Sequence, residues 1–243
     1  MPIPRFHCAM PLPPGRRVAL PDAVARHAVG VLRLRDGDDV ILFNGDGSEC
    51  LGQLIRTGKG AEVDLKATCA PARESPFAIT LVQGVSSGER MDYTLQKAVE
   101  LGVTRIQPIM MKRTIVRLDE DKRVKRRQHW QGVVIAACEQ CGRNHLPEVD
   151  PILDFHEWLA TASARDGVRL LLDPEASQRL RELPAPAGAV TLLAGPEGGF
   201  DPNEREMLRR LGFLPMSLGP RILRTETAAI TAMAVIQGLW GDI

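Results

Sequence analysis

Residues 192–229 read LLAGPEGGFDPNEREMLRRLGFLPMSLGPRILRTETAA, and the fold is decided there. Apolar runs at Val190 to Ala194 and Phe213 to Leu218 suit buried strands, and each empties into a loop. The first loop is Gly195-Pro196-Glu197-Gly198-Gly199-Phe200; the second runs from Leu218 to Ala228. Between them, Asp201 as N-cap, Pro202 at the first helical position and Glu204 at the third spell a helix start. Strand, loop, helix, strand, loop and final helix together describe part of an open α/β sheet. Ligands of such sheets sit beyond the carboxyl ends of the strands. Two neighbouring loops there predict one backbone-lined pocket, since Gly195, Gly198 and Gly199 allow unusual dihedrals and close approach.

Upstream the same alternation begins at Phe77. Strands are predicted over 79–85, 103–110 and 168–172, and helices over 90–101, 119–142 and 155–164. Met91, Leu95, Ala98 and Val99 mark the inner face of the first helix, which Gly102 stops. Strands alternating with helices imply a mostly parallel sheet covered on both faces. The last helix, over 228–240, is apolar almost all round and therefore belongs in the core or in a subunit interface.

The first 70 residues differ. A helix over 21–34, with Val24, Ala28, Val31 and Leu32 on one face, precedes a strand over 40–43. Asn44-Gly45-Asp46-Gly47 is a hairpin signal. Strands then follow over 50–55 and 61–68, separated by a turn over 57–60, with Val63, Leu65 and Ala67 inward. Short strands and tight turns suggest a small barrel. The proline-bearing stretch over 70–76 is the linker, dividing the chain into domains at 1–72 and 73–243.

Composition narrows the function. A net charge of +1, with 44% hydrophobic and 25% charged residues, excludes a uniformly basic nucleic-acid binder. The opening Met1 to Phe6 has no apolar leader, and no run is long enough to span a membrane. Five scattered cysteines point to reduced thiols in a cytoplasm. Cys138 and Cys141 form a CxxC, but no second ligand pair accompanies them and both continue the apolar stripe of Trp130, Val133, Val134 and Ala137. A buried helix face is the reading, and no metal is expected. Charge is concentrated instead at 105–127, where nine basic residues meet three acidic ones for a local balance of +6. Such a run is either a solvated helix face or, in a nearly neutral chain, a polyanion-facing surface, and the second is the expectation. Aromatic residues are only 4% of the chain, so backbone and shape contacts would dominate over base stacking.

The pocket is neither a P-loop nor a Rossmann site. The glycine loop lacks a Gly-Lys-Ser/Thr ending, and the first strand leads only into Gly84-Val85-Ser86-Ser87-Gly88. In the second loop Arg224 and Glu226 flank Thr225 at the edge of an apolar helix, where charges are paired or functional.

Four segments carry a resemblance: Gln96 to Val103, Glu139-Gln140-Cys141-Gly142-Arg143, Gly195 to Phe200, and Leu218 to Ala228. Together with Pro4-Arg5-Phe6 and the Arg33-to-Gly45 region, they resemble the ribosomal RNA small-subunit methyltransferase E family of the SPOUT superfamily. The resemblance implies a carboxyl-terminal trefoil-knotted parallel sheet with helices on both faces, plus a small amino-terminal PUA-like β-barrel. It further implies a homodimer that methylates N3 of a uridine in 16S ribosomal RNA or the small subunit, uridine 1498 in the usual substrate. The implied cofactor is S-adenosylmethionine. Leu172, Gly195, Glu197, Gly198, Gly199, Leu218, Gly219, Ile222, Leu223, Arg224, Thr225 and Ala228 would line its site. The candidate RNA contacts are Arg5, Arg33, Lys112, Arg113, Arg117, Arg126 and Arg143. Glu139 and Gln140 stand beside Arg143 in a run where cysteine replaces the family's usual serine.

N3 of uridine is a weakly acidic imide, so its proton must leave or its anion must be stabilised. Arg224 is the expected cation, and Glu226 or Glu197 the expected base. Two other readings share these features: a SPOUT enzyme acting on another RNA site such as a tRNA ribose, and a non-catalytic RNA-binding protein of the same fold.

Overall fold

The structure is a computed structural model and describes residues 3–58, 60–161 and 167–243. The chain forms two compact units, Met1–Glu74 with Ile135–Leu146 and Ser75–Val134 with Pro147–Ile243.

In the first unit, strands β1 (Arg5–His7), β2 (Arg17–Ala19), β3 (Asp39–Phe43), β4 (Glu49–Thr57) and β5 (Gly60–Cys69) form one sheet in the order β1-β3-β4-β5-β2. The β1–β3 pair is parallel and the other pairs antiparallel. Period-two alternation in β5 sends Ala61, Val63 and Leu65 into a core shared with Phe6, Leu42 and Leu54. Ala67, expected inward, is exposed, because the register slips at Leu51/Gly52 and the alternation ends there. The expected turn over 57–60 includes Lys59, which lies outside the described residues.

The expected helix over 21–34 also departs from its pattern. A short α1 (Asp22–Ala25) runs into a π-helical turn at Arg26–Val31. The wider π turn shifts the apolar stripe, so that Ala25 and Ala28 fill the core while Val31 and Leu32 face outward. Polar side chains close this unit. The Arg5 guanidinium pairs with Glu49 and donates to Asn144 Oδ1 at 2.6 Å, and Arg73 donates to Glu49 at 3.0 Å and to the Gly142 carbonyl at 2.8 Å.

The second unit holds β6 (Ile79–Gly84), β7 (Val103–Met110), β8 (Glu148–Val149), β9 (Leu153–Asp154), β10 (Val168–Leu172), β11 (Val190–Ala194) and β12 (Leu214–Met216). The order is β12-β10-β11-β6-β7-β8, with β9 also pairing β7, and every pair is parallel. Its helices are α2 (Glu89–Glu100), α3 (Glu120–Cys141), α4 (Phe155–Thr161), α5 (Pro202–Arg210) and α6 (Thr225–Trp240). Residues 162–164 of the helix expected over 155–164 lie outside the described residues.

Val82, Ile109, Leu171 and Leu193 cover one face of the sheet together with Phe155 and Trp158 of α4 and Leu208 of α5. On the other face α2 packs against α6 and β7, and α6 against β11. Helix α6 begins at Thr225, three residues earlier than its apolar pattern. It buries one stripe, Ala229, Ala232, Met233 and Ile236, while Ala234, Gly238 and Leu239 are exposed. The strands leave β6 first toward β7 and later toward β11, which puts a topological switch beside the central strand.

Candidate active site

The carboxyl ends of β10, β11 and β12 lie side by side, and the segments that follow them enclose a cavity of about 290 Å³ with the first turns of α6. Of the twelve residues expected to hold a cofactor, eleven line it: Leu172, Gly195, Glu197, Gly199, Leu218, Gly219, Ile222, Leu223, Arg224, Thr225 and Ala228. The twelfth, Gly198, has a packing role, because a Cβ there would sit 2.7 Å from the Arg113 carbonyl. Glu226 also lines the cavity, so all three candidate catalytic residues meet there.

Two hydrogen-bonded systems set the shape of the first loop. Gln83, fully buried at the end of β6, donates to Thr225 Oγ1 at 3.1 Å, and Thr225 in turn donates to the Gly195 carbonyl. This ties the start of α6 to the glycine loop and to the central strand. Glu197 is held from α2's side: its Oε1 accepts from the Ser87 N–H (2.8 Å), the Ser87 hydroxyl (2.9 Å) and Arg90 Nη1 (3.1 Å). Burial pushes the Glu197 carboxyl up, but these hydrogen bonds outweigh it and leave the group below the ordinary glutamate value. The end of β6 therefore shapes the site without lining the cavity. It buttresses the glycine loop from behind, since Gly84 has no Cβ and Pro196 N would lie 2.5 Å from one. Downstream, Asp201 and Glu204 form the expected capping box, and Glu204 also accepts the Lys112 N–H at 2.8 Å.

Sequence reasoning missed several charged groups on the wall. Asp173, 1% exposed at the end of β10, accepts the Glu175 N–H and lies 3.6 Å from Arg205 of α5. Arg90 and Arg221 line the cavity as well. Asp173 was findable as the residue after a strand whose end already belonged to the site, whereas Arg90 reaches the cavity only through the pairing of β6 with β11. Among the described residues no ion pair joins Arg224 to Glu226. Glu226 Oε2, Glu197 Oε2 and Asp173 Oδ2 are buried carboxylate oxygens with no hydrogen-bond partner. Such groups are costly unless a donor or cation arrives.

The expected RNA contacts divide. Arg33, Lys112, Arg113, Arg117 and Arg126 are exposed, and Arg33 adopts a left-handed φ of 57°. Lys112, Arg117, Lys122 and Arg123 also line a groove of about 660 Å³ in the second unit. Arg5 and Arg143, also expected as RNA contacts, are largely covered and ion-paired with Glu49 and Glu74, because each guanidinium finds its counter-charge inside the first unit. Glu139 accepts the His7 N–H there, and Gln140 is exposed. Burial pushes the Cys138 thiol up to about 12, so this half of the CxxC stays protonated at neutral pH.

A sequence model of the RNA methyltransferase domain matches residues 73–237, and one of the RNA methyltransferase PUA domain matches residues 20–66. The ribosomal RNA small subunit methyltransferase E of Buchnera aphidicola is 32% identical over 99% of this chain and 98% of its own length. That of Bacillus subtilis is 32% identical over 86% of this chain and 85% of its own. Among solved structures, the Neisseria gonorrhoeae methyltransferase of the same name, bound to S-adenosyl methionine, superposes with a TM-score of 0.91 at 41% identity and covers 99% of both chains. A Legionella pneumophila protein solved with its bound cofactor SAM reaches 0.95 at 38% identity over 100% of both.

Proposed function

This chain belongs to the ribosomal RNA small subunit methyltransferase E family, and on that premise we propose that it methylates N3 of one uridine of 16S ribosomal RNA. S-adenosylmethionine is the cofactor, as in the two solved relatives. The observation that carries the reading is the cavity beyond β10, β11 and β12, whose residues suit this group. Leu172, Ala194, Phe200, Met216 and Leu218 offer apolar wall to a purine, and the glycine-bearing loops offer backbone donors and acceptors. The buried oxygens of Glu226 and Glu197 that accept no hydrogen bond suit a ligand with two cationic centres.

When bound, the cofactor supplies an electrophilic methyl, and the N3–carbon bond forms as the carbon–sulfur bond breaks with its electron pair left on sulfur. The chain's own residues orient the uracil and manage the N3 proton. Arg224, exposed at the N-cap of α6, serves as a cation for the developing uracil anion. Of the two candidate bases, Glu226 is the better placed, because its neighbours do not occupy it, whereas Glu197 is engaged by three donors. N3 lies on the pairing edge, so the uridine must be unpaired or extruded to enter. Residues 1–72 serve as the RNA-recognition module and 73–243 as the methyltransferase domain. The chain works as a homodimer through the uncovered side of α6, and Ile222, 88% exposed at the cavity rim, is covered in the assembled enzyme.

Primer extension on small-subunit RNA from cells with and without the protein tests the substrate. An N3-methyl blocks pairing, so one strong stop at a uridine disappears with the gene, and an unchanged pattern rejects the assignment. At saturating cofactor, Arg224→Ala and Glu226→Ala each lower kcat by roughly 10²-fold or more. Near-normal turnover in both removes these roles.

A further inference from the structure

We infer that Glu197 is not the proton acceptor but a positioning residue, holding the Arg90 guanidinium against the target uracil to stabilise the anion formed at N3. This rests on the uridine-N3 reading above and assigns a cation that the sequence did not reveal.

The geometry of Glu197 argues against a base. A base must present a lone pair to the incoming proton, yet Oε1 already accepts from the Ser87 N–H, the Ser87 hydroxyl and Arg90 Nη1. A carboxylate held ionised by several donors is also a weak proton acceptor, since a general base works best with a pKa near the working pH.

The same contacts suit the second role. Arg90 is the second residue of α2, lines the cavity and is 43% exposed, so one part of its guanidinium is tied to Glu197 while the rest is available. Ser87, three residues earlier, donates twice to the same oxygen, so the turn into α2 fixes the carboxylate of the glycine loop that holds the arginine. A cation fixed before the substrate arrives is worth more than one that must be ordered during reaction. The other charges facing the cavity leave Arg90 distinctive. Arg205 is matched by Asp173 and Glu175, and Arg221 and Arg224 lie on the exposed second loop with no ion pair among the described residues. Glu226 faces the cavity from α6 and remains the acceptor for the N3 proton.

The test is single-turnover methylation of small-subunit RNA, scored as 3-methyluridine by nucleoside mass spectrometry, from neutral to alkaline pH. Cofactor affinity is measured in parallel by calorimetry. Arg90→Ala is expected to slow transfer at neutral pH by about 10²-fold. It should also move the alkaline break of the pH–rate profile upward, with partial rescue by added guanidinium ion and little change in cofactor affinity. Glu197→Ala should move the break in the same direction. Glu197→Gln, which keeps an acceptor for Ser87 and Arg90, should lose about tenfold and keep the rise of rate with pH, less than a lost general base would cost. An unmoved break in Arg90→Ala, weakened cofactor binding as its main defect, or a Glu197→Gln enzyme dead at every pH would each overturn the proposal. Failure of the wild-type enzyme to form 3-methyluridine would overturn the uridine-N3 reading itself.

Discussion

Glu49 shows what one buried carboxylate does in the first unit. Its side chain is 7% exposed, in contact with the guanidinium groups of Arg5 and Arg73 and the amide of Asn144. Burial pushes its carboxyl up, but the hydrogen bonds from Arg5 and Asn144 and the two positive charges outweigh it, leaving the group below its usual value of 4.5. A carboxyl whose folded pKa is depressed contributes stability that is present above the unfolded value and is lost as pH falls through the folded one. Thermal denaturation should therefore show an acid limb that begins as pH falls through the ordinary glutamate range and ends below it, and Glu49→Gln should flatten it. Glu49→Ala leaves Arg5 without its closest counter-charge and should cost about 3 kcal/mol or more in chemical denaturation at neutral pH. An unchanged acid limb in Glu49→Gln would show that the pair contributes nothing. Arg5 and Arg143 were legible in the sequence as cations but not as buried ones, because a one-dimensional pattern does not reveal which carboxylate folds back onto them.

Among the elements, the end of β6 is the test of how the site is built. Gly84 lies against the Gly195–Pro196 peptide so closely that a methyl group would come within 2.5 Å of Pro196 N and 2.9 Å of Gly195 C. These are backbone contacts and cannot rotate away. Gly84→Ala should displace the glycine loop and weaken S-adenosylmethionine binding at least tenfold by calorimetry, with overpacking of about 1–3 kcal/mol in stability. Normal affinity would mean that β6 does not buttress the loop. The strands over 103–110, 168–172 and 190–194 were readable to the residue, because each is an apolar run bounded by polar or glycine turns. Helical boundaries were less so. The π turn at Arg26–Val31 turned Val31 and Leu32 outward, and α6 began at Thr225 because Arg224 takes the N-cap position. Both outcomes depend on backbone hydrogen bonding that side-chain periodicity does not encode.

For the whole molecule the dominant force on an RNA substrate is electrostatic, although the net charge is only +1. The exposed cations between Lys112 and Arg126 concentrate that force. RNA affinity should fall steeply with salt, and Arg117→Ala and Arg126→Ala should each reduce the slope of log K against log salt by about 1 if each touches a phosphate. A slope unchanged in both would place the RNA elsewhere. The sequence by itself determined the α/β class, the barrel-like first module and the strand-end loops, and the family resemblance carried by its motifs pointed to just over half of the residues on the cavity wall. The class, the module and the loops follow from local pattern: apolar runs, turn residues and a helix cap. Only the tertiary structure decided that β11 lies between β10 and β6, that Ser87 and Arg90 meet Glu197, and that residues 135–146 join the first unit. Those contacts join positions many tens of residues apart, and their energies come from strand order and burial, which no local stretch of the chain contains.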